Sequence, residues 1–427
     1  MTQDENWEEF DFIRFTWCDT NGVPRGKVVP RNSYRSFQKS GVGMNSLYAI
    51  FGIDSKPPII PHIIARGSPN NNLIPVIETW HSCPWSGNGK SKVAQVLCQM
   101  HELGKDSKPN SFDSRGICVK LLNHLKTEFG LELYSALEYE FVLTKDKNPL
   151  GIAGHSCSAF NLKKTEDICF EITKRLQEAG VSIESFHSEA FDGQIEMTMQ
   201  PKYGIGSADD ACLHKDCVKS TAFEYGYEAA YICCPSEGVF NGGHFNFSLW
   251  KDGQNALTDG SDQVALSELA KYWISGIMEH AAGITALICP NNNSYRRFCG
   301  VASAQAEICY SRESRSAMLR IKETSDVQTY LEFRSPGAAN PYLVLSAVLA
   351  AGMDGLRQQR LPQPIGINKE RHLPGSLFEA LDAFEADDVV KEALGEDFSQ
   401  MYLDLKRQKD LPIKNLQQQR EMYSYLL

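Results

Sequence analysis

Strand-like segments that are otherwise apolar carry six ionisable side chains, and this pattern constrains the fold more than any other feature of the sequence. The six residues are Glu138, Glu140, Glu189, Glu196, His244 and Glu332. Successive side chains of a strand point to opposite faces of a sheet. In L-E-Y-E-F-V-L, Glu138 and Glu140 therefore share one face, and the apolar residues around them take the other. Carboxylates that converge on a buried site are unfavourable unless charged partners are supplied, so the pattern predicts a charged ligand on one face of a sheet.

The segment S-E-A-F-D-G-Q-I-E-M predicts a hairpin, because Asp192-Gly193 is a preferred two-residue turn. Folding about that turn sets Glu189 opposite Glu196. Like charges that face each other across strands are destabilising. A divalent cation between them removes the repulsion, and magnesium and manganese prefer oxygen ligands. The alternative is a hairpin whose register slips by one residue or whose turn is wider.

Two further strand-like segments place polar side chains at every second position. These positions are His244, Asn246 and Ser248 in H-F-N-F-S-L, and Tyr330, Glu332 and Arg334 in Q-T-Y-L-E-F-R. The pattern predicts that His244 and Glu332 join the same charged face. The alternatives are half-exposed strands with solvated glutamates and a histidine held within the core.

Arginines flank the proposed metal-binding strands and form a second group of candidate site residues. They are Arg297, Arg315, Arg320 and Arg334. A guanidinium group donates two parallel hydrogen bonds to a carboxylate or phosphate. The group therefore suits a phosphorylated substrate or a nucleotide tail, the alternative being ordinary salt bridges. The sequence has neither a Walker-type glycine loop nor a dinucleotide fingerprint, so a nucleotide needs another mode of binding.

Composition limits the class of protein. The net charge of -10 over 427 residues argues against nucleic acid or an anionic membrane as the main partner. No segment approaches the roughly eighteen uninterrupted apolar residues of a membrane span, and the acidic N-terminus lacks an apolar signal region. Thirteen cysteines without a C-x-x-C pair resemble neither a disulfide framework nor a zinc site. These observations predict a cytoplasmic protein whose thiols are reduced.

The order of predicted elements indicates an α+β chain. Short strands at 10–18 and 93–100 precede a polar stretch at 105–111, which predicts a domain boundary. Helices and strands alternate beyond it. The predicted helices are one capped by Asp113 and ended by Gly130, two near 164–179 and 208–225, one capped by Asn340-Pro341, and a helical tail over 377–405. We expect a small N-terminal domain and a large sheet covered by helices.

Six motifs, taken in order, closely resemble the ligand and nucleotide motifs of class-I glutamine synthetases. They are E-Y-E-F, S-E-A-F-D-G-Q-I-E, G-G-H-F-N-F-S-L, N-S-Y-R-R, S-R-S-A-M-L-R-I and L-E-F-R-S-P-G-A-A-N-P-Y-L. D-T-N-G-V-P-R-G-K-V-V-P resembles the N-terminal domain of that family, so the resemblance covers nearly the whole chain. Within the superfamily the sequence is most similar to the metazoan branch that includes lengsin, a lens protein regarded as having lost synthetase activity.

The resemblance implies a β-grasp domain over residues 1–108 and a catalytic-type domain over 109–427, built as a barrel of mainly antiparallel strands with outer helices. It implies two magnesium or manganese sites, one held by Glu140, Glu189 and Glu196, the other by Glu138, His244 and Glu332. ATP would phosphorylate the γ-carboxylate of glutamate, and an amine would displace the phosphate. The implied roles are a glutamate grip for Arg297 and Arg334, and nucleotide contacts for Asn246, Ser248, Arg315, Arg320 and Tyr330. The implied assembly is a homo-oligomer of stacked hexameric rings, a dodecamer, in which a neighbour's N-terminal domain completes each site.

Several positions depart from the family pattern. Ser303 stands where a flap glutamate belongs, Asn45 where an aspartate completes the ammonium pocket, Tyr330 where an arginine contacts phosphate, and Phe240 near a glycine that leaves room for glutamate. Two interpretations follow. One is a lengsin-like, non-catalytic scaffold that keeps metal and ATP and has a cytoskeletal partner. The other is an active glutamate-amine ligase that uses ammonia or a larger amine.

Overall fold

The computed structural model of the chain describes residues 7–65, 67–104, 107–146, 148–150, 154–259, 262–298, 306–323, 328–335, 337–363 and 371–423. Its strands form two main sheets, one in the first hundred residues and one after residue 131. Among the described residues, no helix combines the length and apolar character needed to cross a membrane. The described cysteines are free thiols, and most of them are buried.

The N-terminal sheet has the strand order β2-β1-β6-β4-β3, with β5 paired to β6. Its strands are β1 Phe12–Cys18, β2 Pro24–Pro30, β3 Val42–Asn45, β4 Asn70–Pro75, β5 His81–Ser82 and β6 Val93–Glu102. Only β1 and β6 pair in parallel among these strands. Two helices belong to this part, α1 Arg31–Phe37 and α2 Pro61–Ala65. The two strands expected in this region are thus confirmed as β1 and β6.

The second sheet follows the path β17-β18-β19-β13-β7-β10-β9, with short strands attached at β7 and β13. All its pairings are antiparallel apart from β17 with β18, and within the described residues the end strands β17 and β9 do not pair with each other. Its strands are β7 Glu132–Lys145, β8 Asn148–Pro149, β9 Ile183–Ser188, β10 Gln194–Met199, β11 Lys202–Tyr203, β12 Glu228–Ala230, β13 Gly243–Lys251, β14 Gln254–Asn255, β17 Tyr310–Arg312, β18 Leu319–Glu323 and β19 Thr329–Phe333. A separate hairpin pairs β15 Thr258–Asp259 with β16 Asp262–Leu266.

The chain also contains helices beyond the N-terminal sheet. They are α3 Ser114–Phe129, α4 Ala159–Glu178, α5 Gly206–Glu224, α6 Glu268–Glu279, α7 Ala281–Ile288, α8 Pro341–Gln358, α9 Leu377–Ala386, α10 Asp388–Leu394, α11 Glu396–Leu405 and α12 Leu416–Tyr423. Of these, α3, α4 and α5 pack against strands of the second sheet, and α6, α7 and α10 pack against α8. The predicted caps are confirmed: the Asp113 side chain accepts from the Arg115 backbone N–H, and Asn340 caps α8. The helical tail expected over 377–405 consists of three helices, because the chain leaves helical geometry at Asp387 and Gly395.

The alternation of apolar and polar residues decides which face of the second sheet is buried. Tyr139 and Phe141 on β7, and Phe245 and Phe247 on β13, are at most 1% exposed and belong to the main hydrophobic core. The residues between them point to the opposite face. That face carries the ionisable side chains, so the period-two prediction for these strands is confirmed.

Candidate functional site

Strand β7 runs through the middle of the site and supplies two carboxylates to it. Glu140 lies directly opposite Glu196 on β10, and Glu138 lies directly opposite His244 on β13. Side chains at directly opposed positions share a face of the sheet. Glu138 and Glu140 share one face of β7, as predicted. Side chains of the neighbouring strands β10 and β13 therefore meet them in one site.

The hairpin predicted around Asp192-Gly193 has a different register. Ser188 pairs with Ile195, so Glu196 lies opposite His187, and the connection runs over residues 189–193. The prediction that Glu189 faces Glu196 across a two-residue turn is therefore wrong. The turn at Asp192-Gly193 is itself present, since the Gln194 backbone N–H donates to the Phe191 carbonyl at 3.1 Å. The hairpin closes around it through the Glu189 backbone N–H, which donates to the Gln194 carbonyl at 2.9 Å, and the Gly193 carbonyl accepts from the Leu143 backbone N–H of β7 at 2.8 Å. The register differs by two residues, which leaves Glu189 on the expected side of the hairpin.

The first candidate metal group is formed by His187, Glu189 and Glu196, each of which offers one ligand atom within 4.8 Å of the others. His187 Nε2 lies 3.0 Å from Glu189 Oε1 and 3.9 Å from Glu196 Oε1. Glu140, expected in this group, accepts a 2.8 Å hydrogen bond from the Gln194 side chain. Its other oxygen lies 3.9 Å from His244 Nε2, so Glu140 stands between this group and the next.

The second candidate metal group is formed by Glu138, His244 and Glu332, again with ligand atoms within 4.8 Å of one another. This is the set that the resemblance implied for one of the two metals. His244 and Glu332 are almost fully buried, and His244 Nδ1 has no hydrogen-bond partner among the described residues. A buried, unpaired imidazole nitrogen beside two carboxylates fits a cation site.

Gly242 keeps open the space between the two groups. A Cβ atom at this position would stand 2.5 Å from Glu140 Oε1 and 3.0 Å from His244 Nε2. No other residue type fits here without moving a carboxylate and an imidazole. The glycine therefore permits a close approach of the backbone to these two side chains.

Burial and the neighbouring carboxylates raise the pKa of several glutamates in this part of the sheet, so their charged forms are disfavoured there. Burial, reinforced by Glu138 and Glu140, raises the pKa of Glu196 to about 8. Burial also raises the pKa of Glu140 and that of Glu138. In contrast, the hydrogen bond from His187 lowers the pKa of Glu189. Burial and the nearby arginines lower the pKa of His244, which leaves a neutral imidazole able to bind a metal.

Cationic side chains border the second group. The Arg320 Nη1 donates to Glu332 Oε2 at 3.1 Å, and Arg334 donates to Glu332 Oε1. Lys322 Nζ lies 3.7 Å from Glu332 Oε2. Arg297 is buried in the turn Ser294–Phe298, and its Nη1 donates to the Asn241 carbonyl at 3.1 Å. The site thus combines carboxylates for cations with guanidinium groups for anions.

The remaining residues predicted to bind nucleotide are spread along the site. The Asn246 amide donates to Glu138 at 3.4 Å and leaves its oxygen without a partner among the described residues. The Ser248 hydroxyl accepts from Trp250 at 2.9 Å, farther along β13. Arg315 is exposed in the turn between β17 and β18, where its charge contributes to the lowered pKa of His244. Tyr330 on β19 lies directly opposite Lys322 on the neighbouring strand β18.

Of the positions that depart from the family pattern, Ser303 lies outside the described residues. The Asn45 side chain accepts from the Leu47 backbone N–H and caps a short 3-10 turn in the N-terminal sheet. Phe240 is half-buried and meets Phe191 edge to face, with 6.4 Å between ring centres. Its carbonyl accepts from the same Gln194 amide that contacts Glu140. Phe240 therefore belongs to the border of the first group.

Three site residues were missed by the reasoning from sequence. His187 stands two residues before Glu189, so its place on the same face was readable from the period of the strand. Lys322 follows Arg320 at the same spacing, and it also could have been found. Gln194, whose amide contacts Glu140, Phe240 and Asn241, is uncharged, so the pattern of ionisable side chains did not include it. Its role depends on the actual hairpin register.

Comparison with known sequences identifies relatives over nearly the whole chain. Residues 111–425 match the family model of the glutamine synthetase catalytic domain. The glutamine synthetase of Thermus thermophilus is 33% identical over 423 residues, covering 94% of this chain and 92% of that protein. The glutamine synthetase of Pyrococcus abyssi is 29% identical, covering 93% and 90% of the two chains.

Solved structures agree with these matches. A glutamine synthase homolog aligns with a TM-score of 0.86 over 97% of this chain and 99% of its own, and its 24% identity shows the fold alone. GmaS without ligand aligns with a TM-score of 0.81 at 27% identity, covering 94% and 93% of the two chains. A GmaS complex with ADP aligns with a TM-score of 0.83 at 25% identity, covering 95% and 94%.

Proposed function

This chain belongs to the glutamine synthetase family, and on that premise we propose that it is an ATP-dependent ligase that joins the γ-carboxylate of glutamate to an amine. One observation carries the proposal. Two candidate metal-binding groups of side chains converge on one face of the sheet, and the second group is bordered by buried arginines. Burying this many charges is unfavourable unless bound cations and anions neutralise them. Catalysis of phosphoryl transfer from a nucleotide uses both kinds of charge.

We propose that the metal ligands are Glu138, His244 and Glu332 for one divalent cation, and Glu140, Glu189 and Glu196, joined by His187, for the other. The open space beside Gly242 and the unpartnered Nδ1 of His244 support this assignment. Carboxylate oxygens suit magnesium or manganese. When bound, such cations neutralise charge on the phosphate oxygens and polarise them.

The chain's own residues have separate proposed roles in the reaction. Arg297 and Arg334 hold the substrate glutamate, because a guanidinium group matches a carboxylate with two parallel hydrogen bonds. Arg320 and Arg315 face phosphate oxygens of the nucleotide, near Asn246, Ser248 and Tyr330. The γ-carboxylate oxygen attacks the terminal phosphorus of ATP, and the bond to the bridging oxygen breaks with its electron pair leaving on ADP. The amine nitrogen then attacks the acyl carbon, the bond from that carbon to the phosphate oxygen breaks, and the proton lost from the amine leaves with the phosphate as hydrogen phosphate.

The amine is proposed to be larger than ammonia. Asn45 replaces an acidic group of the implied ammonium pocket, and its side chain is engaged in capping a turn. The Phe191–Phe240 pair borders the first metal group and offers an apolar surface rather than a charged one. A primary amine with an apolar substituent suits this border better than a small hydrated cation does.

Assembly follows from the same premise. We propose a homo-oligomer of two stacked hexameric rings, in which the N-terminal domain over residues 1–108 completes the site of a neighbouring chain formed by residues 109–427. Heterologous contacts that close on themselves produce rings. On this proposal one chain alone has an incomplete site.

A second candidate function is a lengsin-like oligomer without catalysis. The observation that favours it is that Asn45, Phe240 and Tyr330 all depart from the family pattern at positions where the resemblance implies contacts with substrates. The family relatives favour the ligase, since those compared by sequence are glutamine synthetases. The aligned complex of GmaS with ADP also favours a protein that uses a nucleotide.

The test of the ligase is the dependence of ADP formation on each component. ADP should form only when glutamate, a divalent metal and a suitable amine are all present. Glu196→Gln and Glu332→Gln should each abolish most of this activity, because each removes one charged ligand. The proposal fails if a panel of primary amines gives no ADP above the level without amine, while nucleotide and metal bind normally.

A further inference from the structure

Lys322 and Tyr330 occupy directly opposed positions on β18 and β19. The ammonium group lies 5.0 Å from the centre of the Tyr330 ring, within the range of a cation–π contact. It also lies 3.7 Å from Glu332 Oε2, a candidate metal ligand. The side chain is 22% exposed, so its stem is largely covered. Lys322 thus presents a charge at the edge of the second metal group.

Glu332 does not need Lys322 as a partner. Its Oε1 accepts from Arg334, and its Oε2 accepts from Arg320 at 3.1 Å. A separation of 3.7 Å is longer than a hydrogen bond. An ammonium group has three N–H donors, and the contact with Tyr330 is made with the face of its ring, 5.0 Å from the ring centre. The lysine therefore keeps donors available beside a carboxylate that already accepts from two arginines.

Lys322 also stays charged in this position. A lysine is a cation at neutral pH, and the Glu332 carboxylate 3.7 Å from the ammonium favours that charge. Lys322 is therefore a cation with unused hydrogen-bond donors beside a candidate metal site. Such a group can bind an anion that is also bound by the metal. Phosphoryl oxygens have that chemistry.

We propose that Lys322 binds an oxygen of the phosphoryl group that is transferred from ATP, a role that rests on the proposed function. In the transfer, the bond from the glutamate oxygen to phosphorus forms as the bond to the ADP oxygen breaks. Lys322 loses no proton. It neutralises charge on the transferring group, while Tyr330 holds the ammonium in place.

The test compares a triphosphate with a diphosphate. In the presence of manganese, the affinity of the full-length protein is measured for ADP and for an ATP analogue with a methylene group between the β and γ phosphorus atoms. Lys322→Gln should weaken binding of the analogue roughly tenfold or more, since a hydrogen bond to a charged group is lost. Binding of ADP should change by less than about twofold, because it lacks the contacted group.

Two variants separate this role from a structural one. Lys322→Arg should restore most of the affinity for the analogue. The double variant Lys322→Gln/Tyr330→Arg moves the positive charge to the opposed position on β19 and should restore part of it. Lys145→Gln is the matched control, because Lys145 lies 5.3 Å from the centre of the Tyr227 ring, seven residues along β7 from Glu138. It should leave both affinities unchanged.

The proposal is overturned if Lys322→Gln leaves the ratio of the two affinities unchanged, whether both affinities hold or both fall together. It is also overturned if Lys322→Arg behaves like Lys322→Gln. In either case the ligase itself stands as long as the unaltered protein forms ADP with an amine. Failure of the unaltered protein to bind either nucleotide would instead contradict the ligase, and the role of Lys322 with it.

Discussion

Glu196 and Glu140 lie directly opposite each other on β10 and β7, and both carboxylates are mostly buried. Like charges at such positions repel, and burial raises the pKa of each. His187 lies opposite Glu196 on its other side. The sheet therefore places two carboxylates and an imidazole in neighbouring rows, an arrangement that a divalent cation would stabilise.

The first prediction is that magnesium or manganese raises the melting temperature of the protein. A ligand that binds only the folded state stabilises it by about 2.7 kcal/mol at a hundred times its dissociation constant. Glu196→Ala should abolish most of the difference between melting with saturating metal and melting with a chelator. Glu184→Ala, an exposed carboxylate on the same hairpin, should preserve that difference. Identical melting temperatures with metal and with chelator would contradict the proposal that the protein has a metal site.

The second prediction concerns Gly242. In Gly242→Ala the new methyl group displaces Glu140 and His244, because its position is 2.5–3.0 Å from their side-chain atoms. We expect stabilisation by metal to fall sharply while the protein remains folded, as judged by circular dichroism. Gly375→Ala is the matched control, since its nearest neighbour would be a Glu379 oxygen 3.6 Å away. Full stabilisation by metal in Gly242→Ala would show that the space beside this glycine is not part of the site.

The third prediction is a pH dependence at His280, which bridges Asp387 at 2.9 Å and Asp354 at 3.1 Å. Burial alone would lower the pKa of His280, but the two carboxylates outweigh it and the pKa is raised. The stabilisation is therefore complete below the unfolded pKa of about 6.5. It is lost as the pH rises through the higher folded value.

His280→Gln should accordingly lower the free energy of unfolding by about 1.5–3 kcal/mol at pH values below about 6, the range for hydrogen bonds to charged groups. The effect should shrink in alkaline solution. Urea unfolding at the two pH values measures it, with the exposed His124→Gln as control. An equal effect at both pH values would show that the charge of His280 does not contribute.

The fourth prediction is assembly into rings. Light scattering should return a mass many times the 47.7 kDa of one chain. The mass should stay constant over micromolar concentrations, because closed rings have no free ends to extend. A monomer throughout that range would leave the N-terminal sheet without a neighbour to complete, and the proposed shared site would be wrong.

The sequence predicted which face of each strand carries the site residues, but not the register of the hairpin formed by β9 and β10. Alternation placed Glu138 and Glu140 together because the period of a strand depends only on local geometry. The turn preference of Asp192-Gly193 is equally local, and the turn forms, but Glu189 meets Gln194 rather than Glu196, and the Gly193 carbonyl accepts from Leu143 on a strand fifty residues away. Long-range pairing of this kind leaves no periodic signal in the sequence.

The grouping of residues into two metal sites came from family resemblance, and geometry refines it. Glu138, His244 and Glu332 meet because β13 lies between β7 and β19, an order that alternation cannot reveal. The strand period predicts the faces on which His187 and Lys322 lie. It does not predict that His187 lies beside Glu196 or that Lys322 lies beside Glu332. Their roles follow from strand register, which only the folded chain provides.

The most direct test of the central claim is to identify the product formed from glutamate, ATP and manganese with ammonium or with a set of primary amines. We predict that mass spectrometry detects the γ-glutamyl amide of a primary amine with an apolar substituent, formed together with one ADP. Ammonium should support glutamine formation at a rate lower by roughly 10²-fold or more, the range for losing a positioned acid–base group. Robust glutamine formation from ammonium would contradict the proposed amine, and the absence of any γ-glutamyl product would contradict the ligase itself.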